Sequence, residues 1–214
     1  MEKLTYGALA ALGGAVLYAN LPTSMTVGTS TPTAAYLSEA RLVPVPDESR
    51  VDETRALKAA SLFAKAPTMV MAVRRPGCLT CRREAAELSD LEPNMKSAGV
   101  NLIAVVHETK GVNDFKPFFK GDVYYDKERR FYGPNERWLP LWLGFLRFKT
   151  YVNMYKARRG GFHGNTEGEG RLLGGFYLIA NNDLVYSYLE KDWGDAPNWE
   201  EVRDAIAQFN IKRR

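Results

Sequence analysis

Cysteine and histidine are scarce: the 214-residue chain holds two of each. A disulfide-stapled scaffold is therefore excluded, and a chain of this length needs none to bury a core. There is no internal repeat and no low-complexity tract, which excludes solenoid and fibrous architectures. No Asn-x-Ser/Thr sequon occurs, which favours a cytosolic domain. No recognisable nucleic-acid module accompanies the net charge of +4, so nucleic acid is not expected as a partner. What the chain does have is 45% hydrophobic and 25% charged residues, enough for one globular domain with a short appendage.

Residues 4–21 carry no charge and are rich in Ala and Gly. Three readings fit this segment: a membrane anchor or surface helix, a cleaved signal, and a helix packed on the domain. As a signal its n-region is weak, because Glu2 offsets Lys3. Residues 22–46 have linker composition, and the domain is expected over 47–214, opening with an amphipathic helix that ends near Pro67.

Residues 68–74 and 100–106 read as buried strands, with a helix from Cys78 to about Gly99 between them. A third strand is expected at 123–125, with Asp126 capping a short helix, then a block at about 135–173. A hairpin over 176–189 and a last helix from about Asn198 complete the order. That order predicts an α/β thioredoxin-like fold. Its central mixed sheet is flanked by helices, with a helical insertion and an N-terminal apolar helix added.

The only cysteines, Cys78 and Cys81, share one tetrapeptide between a predicted strand and the helix it opens. Free N–H groups and the dipole at a helix N-terminus favour an anion, and the thiolate is the reactive form of cysteine. Cys81 follows one turn later, where it can resolve a product formed on Cys78; the two roles remain exchangeable. Arg74, Arg75, Arg82 and Arg83 add positive potential, although Arg82 and Arg83 also fit a solvated helix face. Arg74, Arg75, Thr80 and Arg82 are taken as site-supporting residues. Two bland alternatives stand beside redox chemistry: inert core thiols, and half a zinc site completed by His107 and His163.

The motif Arg74-Arg75-Pro76-Gly77-Cys78-x-x-Cys81-Arg82 resembles that of the peroxiredoxin-like 2 family, its 2A branch most of all. The resemblance extends through Phe131-Tyr132-Gly133-Pro134, Gly164-Asn165-x-Glu167-Gly168-Glu169-Gly170 and Leu173-Gly174-Gly175, covering about residues 50–210. It implies a redox-regulatory antioxidant role for Cys78 and Cys81, without a bound cofactor and with a thioredoxin- or glutathione-type reductant. The sister branch implies an alternative, reduction of a prostaglandin-like lipid endoperoxide. Two departures limit what carries over. Leu173-Gly174-Gly175 stands where thioredoxins place a cis-proline, and the Pro-x-x-x-Thr-x-x-Cys loop of typical peroxiredoxins is missing. Neither broad protein-disulfide substrates nor efficient direct peroxide reduction is therefore implied.

Within the insertion, Trp138-Leu-Pro-Leu-Trp-Leu-Gly-Phe-Leu-Arg-Phe148 is apolar but too short to span a bilayer, and basic residues follow it. It reads either as a helical pair covering the sheet edge or as an anionic membrane contact or acidic-lipid entrance. The 160–175 stretch is glycine-rich without a phosphate-cradle pattern and reads as a loop beside the site. The expectation is a cytoplasmic thiol–disulfide redox protein, membrane-associated through residues 4–21 in one version, with secretion not excluded. The rival from another class is a membrane-tethered interaction protein whose CxxC is vestigial.

Overall fold

The computed structural model describes residues 2–211, so Met1 of the apolar segment and the last three residues of the domain lie outside it. The elements in chain order are α1 Glu2–Ala19, α2 Thr23–Thr26, α3 Ala34–Ser38, β1 Arg41–Pro44, β2 Leu57–Lys58, α4 Ala60–Phe63 and β3 Thr68–Val73. Then come α5 Leu79–Ser89, α6 Glu92–Ala98, β4 Asn101–Val106, α7 Val112–Phe115 and β5 Asp122–Asp126. The chain ends with α8 Leu141–Leu146, α9 Phe148–Arg159, β6 Gly175–Ala180, β7 Asp183–Leu189 and α10 Trp199–Ile211.

All seven strands form one mixed sheet in the order β2-β1-β5-β4-β3-β6-β7. The β3, β4 and β5 strands run parallel, and the β6–β7 hairpin is antiparallel beside β3. This mixed sheet flanked by helices agrees with the thioredoxin-like expectation. Every residue of β3 is buried, because helices cover both faces and alternate side chains serve opposite cores. Met69, Met71 and Val73 face Leu88, Met95 and Ile206 of α5, α6 and α10. Val70 and Ala72 face Leu37, Phe63 and Phe131 on the other side.

Four expectations change. The long helix after Cys78 is two helices, because Pro93 in the first turn of α6 has no N–H to continue α5. The helix expected before Pro67 is instead a 3₁₀ turn at Glu53–Arg55, strand β2 and the one-turn α4. Residues 22–46 contain two short helices and β1, whose Leu42 pairs with Asp126 of β5. Long-range pairing of this kind leaves no mark on local composition. The insertion is a helical pair, yet it covers α5 rather than a sheet edge: Arg83 of α5 donates to the Asn153 carbonyl of α9 at 3.2 Å. Helix α1 is largely exposed, and among the described residues no helix is long and apolar enough to cross a membrane.

Asp126 ends β5 fully buried and accepts the Phe131 N–H at 3.0 Å, fixing the turn that Phe131 packs from. Burial pushes its carboxyl from 3.8 up to about 6. Because the folded-state value lies above the unfolded one, this group's cost is absent below about pH 4, grows as pH rises through about 6, and is constant above. Asp126→Asn keeps an acceptor for Phe131 and removes the charge. It is expected to raise stability above pH 6 by up to ~3 kcal/mol and to leave it unchanged near pH 4. Urea melts across pH check this; an equal shift at both ends would assign the effect to packing.

Candidate active site

Strand β3 delivers Arg74 and Arg75 at its end, and the Pro76-Gly77 turn passes the chain into α5. Cys78 is the N-cap residue of that helix, with extended backbone (φ −80°, ψ 133°) and a carbonyl that accepts from Arg82 N. Its side chain therefore leaves the chain at the positive end of the helix dipole, although the sulfur accepts no N–H of the first turn. Cys81, one turn on, faces the sheet and is fully buried, while Cys78 is 5% exposed. Both are free thiols.

Arg74 is the side chain that touches the site directly. Its Nη2 donates to Cys78 Sγ at 3.2 Å and to Thr80 Oγ1 at 3.1 Å, and Thr80 Oγ1 is itself 3.2 Å from the sulfur. Cys78 is held well below the ordinary thiol range, first by hydrogen bonding from Cys81, then by the Arg74 charge and the Thr80 hydroxyl against the cost of burial. The same sharing pushes Cys81 well above that range, reinforced by burial. One thiol is thus prepared as the anion and its neighbour keeps the proton.

The other expected residues lie around this pair in different roles. Arg75 donates to the Asn165 carbonyl at 3.0 Å. Arg82 bonds the carbonyls of Pro76 (3.4 Å) and His163 (2.9 Å) and pairs with Asp114 at 3.2 Å. Arg83 reaches the Gly194 carbonyl at 3.0 Å. Arg82 and Arg83 are both buried, so they are not a solvated helix face; they are clamps that hold the turn, the glycine loop and α9 on α5. His107 holds the Arg74 carbonyl at 2.8 Å and stays neutral, its burial lowering its basicity. His163 is exposed and meets α5 only through its carbonyl. Among the described residues, no group of three or more His, Cys, Asp and Glu is placed to hold a metal.

The glycine-rich loop lies directly on the motif. Asn165 N donates to the Gly77 carbonyl at 2.8 Å, and a Cβ on Gly164 would fall 2.7 Å from that same carbonyl oxygen. Only glycine lets the two backbones approach so closely. The loop thus lies against the backbone of Gly77, Cys78 and Leu79.

Two buried carboxyls escape sequence reasoning. Glu190, at the end of β7, pairs with Arg74 Nε at 3.0 Å and accepts the N–H groups of Gly174 and Gly194 at 2.9 and 3.1 Å. Burial pushes its carboxyl up, an effect that Arg74 and the two amides offset only in part. Nothing in the sequence marks an acid after an edge strand as buried. Glu84 follows Cys81 by one turn and is 3% exposed, with Oε1 unpaired. Burial, and then the Glu190 charge, raise it well above the carboxylate range, so it is held as the acid. A signal for it existed: the stripe Cys81, Ala85, Leu88 puts position 84 on the buried edge.

An adjacent opposite charge moves a pKa by about one to three units. Arg74→Gln is therefore expected to raise the Cys78 titration midpoint by about that amount, read as thiolate ultraviolet absorbance against pH. Arg82→Gln, which leaves the sulfur's neighbours in place, should move it far less. Equal shifts in both variants would remove Arg74 from its role.

Known proteins resemble this chain at the level of fold and of overall sequence. A family model described as AhpC/TSA antioxidant enzyme matches residues 87–192, which begins beyond both cysteines. The solved structure of Xanthomonas campestris peroxiredoxin Q superposes with a TM-score of 0.50 at 14% identity, covering 84% of this chain and 95% of that one, a likeness of fold alone. Identity over the whole chain is much higher for curated relatives. Peroxiredoxin-like 2A of Xenopus tropicalis is 38% identical over 99% of this chain and 92% of its own length. Its counterparts from Mus musculus and Homo sapiens are 37% and 39% identical, covering 99% and 96% of this chain and 96% and 88% of their own. With near-complete coverage on both sides, this chain belongs to the peroxiredoxin-like 2A family.

Proposed function

We propose that this protein is a thiol peroxidase-type redox protein that cycles Cys78 and Cys81 between dithiol and disulfide. The observation that carries the reading is the Arg74 guanidinium 3.2 Å from the Cys78 sulfur at a helix N-terminus, with the buried Cys81 one turn away. The Cys78 thiolate attacks one oxygen of a peroxide. The S–O bond forms as the O–O bond breaks, and the departing alkoxide takes a proton and leaves as alcohol or water. Cys81 then attacks the sulfenic sulfur, giving the Cys78–Cys81 disulfide and water. An external thiol reductant of the thioredoxin or glutathione type returns both electrons, since the described residues hold no third cysteine to resolve the pair. Catalysis needs no bound cofactor.

Glu84, held as the acid one turn from Cys81, has no room for a further proton, so the proton that Cys81 loses goes to the departing hydroxide, which leaves as water. With Cys78 only 5% exposed, the loop against its backbone lifts or shifts to admit substrate. A compartment that supplies thiol reductant, such as the cytoplasm, suits this cycle.

A thiol trap after peroxide treatment reads the cycle directly. The wild type is expected to lose both free thiols together and to regain them with thioredoxin and its reductase. Cys81→Ser should stop at a sulfenic acid on Cys78, and Cys78→Ser should leave Cys81 unreacted. If Cys78→Ser consumes peroxide at the wild-type rate, or if both thiols persist in the wild type, the reading is lost.

A further inference from the structure

The insertion presents a surface that the redox chemistry does not use. Along α8 and α9, Trp142, Phe145, Phe148, Tyr151 and Tyr155 are each more than half exposed. Phe148, Val152, Tyr155 and Arg159 recur at helical spacing and form one face of α9. The end of α1 continues the face. Tyr18 stacks on Trp142 with centroids 6.3 Å apart, and Asn20 bonds the Leu146 carbonyl at 2.9 Å and the Phe148 N–H at 3.0 Å. A soluble monomer rarely leaves so continuous an aromatic patch in water.

The charge around the patch has one sign. From residue 137 to residue 166 there are six basic residues and no acidic one, and residues 4–38 carry no charge of either sign. Arg137 and Arg147 are buried, which leaves Lys149, Lys156, Arg158 and Arg159 exposed beside the aromatic face. Tyr and Trp favour the interfacial depth of a bilayer, and basic residues flanking them favour anionic headgroups. Self-pairing is disfavoured, because a second copy would bring the same four cations against each other.

We infer that the α8–α9 face, extended by the end of α1, docks on the surface of an anionic phospholipid bilayer. The contact is interfacial: the aromatic side chains enter the headgroup–acyl boundary and the cations meet the lipid phosphates. It is independent of the redox reading. It also lies close to the thiols, since Phe145 packs edge-on against Trp193 at 5.3 Å and Arg74 lies over the same indole at 5.8 Å. Docking would hold the redox pair beside membrane-borne molecules.

The test uses the full chain and cosedimentation with vesicles of phosphatidylcholine, with and without phosphatidylserine. Wild type is expected to bind the phosphatidylserine vesicles, less so as salt rises, and to bind pure phosphatidylcholine weakly. Each basic residue near such a surface contributes roughly fivefold, so neutralising Lys149, Lys156, Arg158 and Arg159 to Gln should weaken binding by a few hundredfold. The exposed-site variant Phe148→Ser with Tyr155→Ser should lose binding at least about tenfold while keeping its thermal melt. Unchanged binding by that variant, or no binding of wild type to phosphatidylserine vesicles at low salt, overturns the inference. So does a concentration-dependent dimer that the same double variant abolishes, which would make a second copy the occupant. No outcome depends on cysteine chemistry, so failure here leaves the redox cycle standing.

Discussion

Arg74 is the residue on which the site depends, and its own position depends on Glu190. The guanidinium lies 4% exposed with its Nε on a carboxylate and its Nη2 on a sulfur. A cation this deep is tolerable only when it is paired and hydrogen-bonded, and removing one partner of such a buried pair costs about 3–5 kcal/mol. Glu190 is in turn locked by the amides of Gly174 and Gly194, which tie the entry of β6 to the loop after β7. The charge beside Cys78 is thus seated by residues distant in sequence from the cysteines. The CxxC spacing supplies the larger influence on the Cys78 thiol, the hydrogen bond from Cys81, and the Arg74 charge adds to it.

The remaining arginines serve the same end by a different route. Arg82 and Arg83 place their charge on carbonyls rather than on the thiols, pinning the Pro76 turn, the His163 loop and the α9 helix around the first turn of α5. The Gly164–Asn165 backbone can then lie on Gly77 with no side chain between them. Positive residues that read alike along the chain divide into one that tunes chemistry and two that hold the frame. Lys149, Lys156, Arg158 and Arg159 of α9 make a third group, exposed and without an acidic residue on their own helix.

Glu84 and Cys81 show how one buried face can hold protons as well as pack. The α5 stripe that seats Leu88 and Ala85 in the core also carries a carboxyl that burial keeps protonated and a thiol that keeps its hydrogen. Separating the proton-holding Cys81 from the anionic Cys78 within one turn is what an attack followed by resolution requires.

Much of this was legible in the chain. The apolar run of β3, the Pro-Gly turn and the apolar period after Cys81 identify a strand–turn–helix, and the two cysteines fall at its junction, because local periodicity and turn chemistry act over a few residues. The sequence also determined the insertion's apolar and one-signed character, as these are properties of composition. Tertiary structure alone decided the rest. Strand β1 inside a linker-like stretch, the turn around Glu53 in place of a helix, the seat of Glu190 under Arg74 and the covering of α5 by α9 all rest on contacts between distant residues. Burial, not residue type, turns an acid at a strand end into the anchor of the arginine beside Cys78, and burial is settled only when the whole chain has packed.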